Sequence, residues 1–244
     1  MKKVLILFVM AIAMNVTAQE SVLLRLNYKS GDSYLMNMKM SQDVGTMMSM
    51  DMNMKMSQEI VSVTGDNYVS KMKITFVGMD MSQGGMNMSF DSTKSDDELD
   101  ATGKMMKAQM GPMLQAVITT KGNKMGVITE TSVEPNVPGT SDLAEQSSSV
   151  EYPEKALRVG DTWEMTKSQK GLKTDFVYKV KSITKEMVLL DVSGKVTGAG
   201  EGTVSGELKI DRNSGVPLTS AINMNVNMNG QEMVSKVNIT MTKQ

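Results

Sequence analysis

Methionine takes every second position from Met48 to Met56, with Ser49, Asp51, Asn53 and Lys55 between. No other feature narrows the fold so far. A helix would scatter these sulfurs around its axis, whereas an extended chain sets all five on one side. The same period recurs along the chain. Met36, Met38 and Met40 share a face; so do Tyr68, Met72, Ile74 and Phe76, and so do Met86, Met88 and Phe90. Later runs are Phe176, Tyr178, Val180, then Val188, Leu190, Val192, then Val204, Leu208, Ile210. Ile222, Met224, Val226 and Met228 alternate with asparagines, and Met233, Val237, Ile239 and Met241 with Asn238, Thr240 and Thr242. These runs predict antiparallel strands with one buried face and one wet face. Turn residues separate them: Gly31-Asp32, Gly65-Asp66-Asn67, Gly84-Gly85, Lys121-Gly122-Asn123, Asn213-Ser214-Gly215 and Asn229-Gly230.

One segment departs from this period. Ser95 and Glu98 have the spacing of a capping box, and acidic residues fill the turn that follows, where a helix dipole favours them. Leu99, Met106 and Met110 share a face, and Gly111-Pro112 gives a stop. The spacing predicts one helix over about 96–110.

The chain also repeats itself. KSGDSYLM at 29–36 resembles RVGDTWEM at 158–165, so Tyr34 and Trp163 enter equivalent strands. VSVTGDNYV at 61–69 matches VKSITKEMV at 180–188 loosely, and Phe90-Asp91-Ser92 is placed opposite Ile210-Asp211-Arg212. The expected fold is mainly β, with antiparallel strands in two related halves and one inserted helix. The halves form a curved sheet or half-barrel, or else two small β domains. Their expected extents are 19–128 and 155–244, with a Pro- and Ser-rich linker or long loop over 129–154.

Residues 1–18 read as a signal peptide. Lys2 and Lys3 precede a short apolar run, and Val16 and Ala18 are the small residues of a cleavage site before Gln19. The mature chain is therefore expected in the periplasm or outside the cell. No run approaches the roughly 20 apolar residues of a transmembrane helix. The chain has no Cys and no His, which removes thiol nucleophiles, Ser–His triads and most zinc chemistry. With a formal charge of −1 and no basic stripe, nucleic acid is not an expected partner. The reading is non-enzymatic, with no cofactor.

Among 28 methionines, the stripe carries the functional question. Burying a Met gains roughly 1.5–3 kcal/mol, but freezing its rotamers costs up to about 2 kcal/mol. Valine or isoleucine would serve a rigid strand core better. One reading is plain core, in a structural or partner-binding envelope protein. A second is a surface for apolar ligands, because Met adapts to varied shapes. Its residues would be Met36, Met38, Met40, Met48, Met50, Met52, Met54 and Met56, with Leu99, Met106 and Met110 as a helical lid. The occupant would be an apolar small molecule, a lipid or a lipoprotein segment. A third is Cu(I), which thioethers select. Methionines along one strand face lie about 6.6–6.8 Å apart at Cα, so a cluster of Met48, Met50, Met52, Met54 and Met56 would need bent side chains or a second strand, with Met36, Met38 and Met40 across a hairpin.

Other polar groups fit structural roles. Asp96, Asp97, Glu98 and Asp100 suit a helix start, and Asp211-x-Asn213-x-Gly215 suits a turn better than a calcium loop. Half-barrel plus helix resembles, in architecture alone, the periplasmic lipoprotein carriers of Gram-negative cells. The Ala18-Gln19 cleavage, SGDSYLMNMKM, the FDS before an acidic helix and YPEKALRVGDTW together resemble secreted β-rich proteins of unknown function from the Bacteroidota. That resemblance implies a fold and a compartment.

Overall fold

A computed structural model of the chain describes residues 20–136, 150–169, 171–228 and 230–244. The signal-peptide reading lies outside them. The strands are β1 Ser21–Val22, β2 Ser33–Val44, β3 Met48–Thr64, β4 Asn67–Gln83, β5 Met86–Asp91, β6 Val117–Asn123 and β7 Ile128–Glu134. They continue as β8 Leu157–Arg158, β9 Thr162–Gln169, β10 Leu172–Ile183, β11 Met187–Gly198, β12 Glu201–Asp211, β13 Pro217–Met228 and β14 Gln231–Lys243. One α-helix, α1, spans Ala101–Gln115.

Among the described residues, 12 strands form one antiparallel sheet in the order β7-β6-β4-β3-β2-β14-β13-β12-β11-β10-β9, with β5 also paired to β4. The two halves therefore share one surface rather than standing as two small sheets. Strand β14 is the seam: Val237 faces Met40 of β2 on one side and Ile222 of β13 on the other. The sheet curls, because Tyr34, Ile60 and Tyr68 of the first half share a core with Tyr178, Val180, Leu190 and Ile210 of the second. It stays open: among the described residues, β7 and β9 each pair on one side only.

The repeat extends into the backbone. Gly31 and Gly160 both take positive φ, +87° and +92°. Gly31 N–H donates to Ile60 and Gly160 N–H to Val180, both at 2.8 Å. Both long strands then bulge at the same place, between Ile60 and Ser62 and between Val180 and Ser182. The match of 61–69 with 180–188 thus shifts by one residue. In the first half the counterpart of β12 is broken in two. β6 pairs with 67–73 of β4 and β5 with 78–83, and the helical segment loops out between them. The backbone equivalent of Asp211-Arg212 is accordingly Asn123-Lys124 and not the FDS segment: Lys124 N–H donates to Asp66 and Arg212 N–H to Glu186, both at 2.8 Å.

Four local expectations need correction. The capping box forms, but it closes a short 3-10 turn, Asp96–Glu98. The α-helix starts after Asp100, whose carboxylate accepts from Gly103 N–H at 2.7 Å, and it runs through Pro112 to Gln115. Pro112 therefore does not end it at Met110. A bulge between Lys55 and Met56 on the β3–β4 ladder turns Phe76 to the outer face, where Lys55 lies 5.3 Å over its ring, and brings Val77 inward. Lys121-Gly122-Asn123 is strand; Gly122 is there because any Cβ would stand 2.8 Å from the Tyr68 hydroxyl. Finally, β7 occupies part of the stretch expected as linker.

One end of the curl is sealed. Leu26 N–H donates to Lys124 and Asn27 N–H to Ser214, across the turns of both halves. Arg25 donates to Pro153 at 2.7 Å and the buried Tyr152 hydroxyl to Gly215 at 2.7 Å. These contacts tie residues 20–32 and 150–158 into the core.

Candidate functional site: the methionine face

The five sulfurs from Met48 to Met56 do share one side of an extended strand. β2 and β3 pair without a shift, so Met36 faces Met56, Met38 faces Met54, and Met40 faces Met52. All point to the inner face of the curl. The outer face is charged, with Lys39, Asp51, Lys55, Lys71, Asp80, Lys179, Lys181 and Glu207 exposed. A band of that kind cannot face lipid.

The stripe divides by depth. Toward the sealed end it is core: Met54 and Met56 are 1 % exposed, and Met36 is also buried. Met106 packs with them and Met110 is partly covered against them, whereas Leu99, which ends the 3-10 turn ahead of α1, is buried outside this cluster. Helix α1 lies on the inner face over β4 and β5, through Gly103 and Met106. Gly103 fits because a Cβ would meet Leu99 at 3.0 Å. Toward the opposite rim, Met38, Met40, Met48, Met50 and Met52 are half-buried. Met86 at the rim is 67 % exposed.

Sequence reasoning left four members out of the site. Met79 faces Met52, Met81 faces Met50, Met88 faces Met81, and Met241 faces Met36. Alternation was present at Val77, Met79 and Met81, but the bulge reverses the phase established from Tyr68, so the run did not join the stripe.

The second half builds its inner face differently. Trp163, Met165, Lys167 and Gln169 stand where Tyr34, Met36, Met38 and Met40 stand in the first. Burial holds Lys167 below the ordinary lysine range, against the pull of Glu151. A Cβ on Gly202 or Gly206 would come within 2.1 Å of a neighbouring carbonyl oxygen, so β12 and β13 pack at glycine distance. Val196, Val204 and Val226 fill that side.

Near the opposite, β3–β4 turn, a shallow depression of about 310 Å³ is lined by Ser62, Thr64, Asn67, Lys121 and Thr129. Tyr68 and Val69 complete its mixed lining, and it does not reach the rim methionines. Among the described residues, no group of three or more Asp, Glu, Cys or His could hold a metal. Asp96 pairs with Lys107 at 2.7 Å, and Asp211 accepts from Ser214 N–H at 2.7 Å, so both acidic motifs have structural roles.

Residues 142–238 match a family of unknown function (DUF6263). No curated protein matches the chain. Among solved structures, the chain is similar to lipovitellin, in a structure titled for its lipid–protein interactions. The TM-score is 0.55 and the identity 9 %, over 89 % of this chain and 25 % of that one. The chain thus spans about a quarter of lipovitellin's length, and the likeness is one of fold. The translocator domain of the autotransporter NalP from Neisseria meningitidis aligns at TM-score 0.42 and 8 % identity, over 88 % of this chain and 90 % of that one. Among the described residues, no helix is long and apolar enough to cross a membrane.

Proposed function

We propose that this is an exported, non-enzymatic binding protein that holds an apolar ligand, a lipid or a lipoprotein segment, against its methionine-lined inner face. One observation carries the reading. The stripe stays half-exposed at the rim while its lower part is sealed into core. A rigid core has no use for a flexible, polarisable rim; a surface that receives varied acyl shapes does. The likeness of fold to lipovitellin, a structure described for its lipid–protein interactions, supports the same reading.

The lower stripe favours a second reading. Met36, Met54, Met56 and Met106 are packed as core residues, as they would be in a structural envelope protein. Native mass spectrometry of the chain purified from an envelope fraction separates the two. An adduct of lipid or acyl-peptide mass, lost when rim methionines become glutamine, supports the binding protein. A bare chain that takes up no fatty acid or phospholipid on addition leaves the structural reading.

A further inference from the structure

Register brings together what spacing along one strand keeps apart. Directly opposed residues on neighbouring strands have Cβ atoms about 4.5–5.5 Å apart. Three rows each put a methionine on three adjacent strands: Met241, Met36, Met56; Met40, Met52, Met79; and Met50, Met81, Met88. The first row is buried at Met36 and Met56, and the second packs Met52 and Met79 onto the core. The third stands half-exposed on β3, β4 and β5, at the open rim.

We propose that Met50, Met81 and Met88 form a Cu(I) site of three thioether sulfurs. Thioethers are soft ligands that select this ion, and the chain has no Cys or His to compete for it. With metal–sulfur bonds of about 2.3 Å, three sulfurs around one ion stand about 4 Å apart. That is close to the strand spacing of about 4.7–4.9 Å. The residues lie on the inside of the curl, so their tips converge, and Met rotamers close the remaining gap. Behind the row, on the outer face, Asp51 directly opposes Asp80. These two carboxylates give the neighbourhood a negative potential that favours a cation. The site does not rest on the apolar-ligand reading.

The test is a titration of the whole mature chain with Ag(I), a redox-inert ion of similar softness, and with Cu(I) kept reduced by ascorbate against a chromophoric Cu(I) chelator. Met50→Leu, Met81→Leu and Met88→Leu keep volume and remove only the sulfur. Circular dichroism confirms that each variant is folded. The expected result is one ion per chain, with only sulfur neighbours in X-ray absorption. Each substitution should weaken binding by at least about tenfold, and Met36→Leu should leave it unchanged. Equal affinity in wild type and the triple variant overturns the site. So does oxygen or nitrogen coordination, or a loss of binding in Met36→Leu.

Discussion

Ile60 and Val180 occupy one place in two copies of a motif. Ile60 N–H donates to Asp32 at 2.8 Å and Val180 N–H to Asp161 at 2.9 Å, each closing a turn whose glycine has positive φ. A Cβ on Gly31 or Gly160 would meet nothing within 4 Å, so only the backbone resists substitution. Gly31→Ala and Gly160→Ala should each cost about 1–2 kcal/mol. The double variant should lose close to the sum, in a single urea transition, because one sheet joins both halves.

Depth along the stripe sets the cost of truncation. Met54→Ala, at a site 1 % exposed, should destabilise by about 2–5 kcal/mol. Met50→Ala at the rim should cost about 1 kcal/mol or less. Paired urea denaturation curves measure the difference; equal losses would show that the rim is as tightly packed as the core.

Helix α1 interrupts what is one strand in the second half. Replacing residues 92–116 by a short turn should leave far-UV β-structure and a cooperative thermal transition in place. Met54, Met56 and Ile74 would lose their cover, so binding of an apolar fluorophore such as ANS should rise. Loss of the cooperative transition would make the helix part of the folding core.

Asp32 contributes to stability in acid. Burial alone would raise its carboxyl, but hydrogen bonds from Lys243, Lys29 N–H and the Tyr34 hydroxyl, with the Lys243 charge, hold it below the ordinary range. The folded value lies below the unfolded one. The stabilisation is therefore full above about pH 4, the unfolded value, and is lost as pH falls through the folded value. Asp32→Asn should lower the melting temperature at neutral pH and flatten its decline below about pH 4. A decline as steep as that of wild type would assign the acid sensitivity to other carboxylates.

Where alternation is unbroken, the strands were legible. Met36 to Met40 and Met48 to Met56 faced inward as their spacing requires, and the turns at Gly31, Gly65 and Gly84 take positive φ. A bulge leaves no mark in composition, so Phe76 was assigned to the wrong face and Met79 and Met81 escaped notice. Gly122 looked like a turn because its true reason, the Tyr68 ring pressed against it, comes from a distant strand. Pro112 looked like a stop, yet α1 continues through it to Gln115. Rows of three sulfurs were invisible for a deeper reason: they exist only once five separate strands, β14, β2, β3, β4 and β5, have found their register.

The seam strand β14 comes last in chain order and stands between β13 and β2. A nascent chain emerging N-terminus first leaves the β2 edge bare until Gln231–Lys243 arrives. Cleavage ahead of Gln231 would strip both neighbours at once. Assembly of the two halves thus waits on the tail, and an incomplete copy presents an unpaired edge to proteases and to other chains.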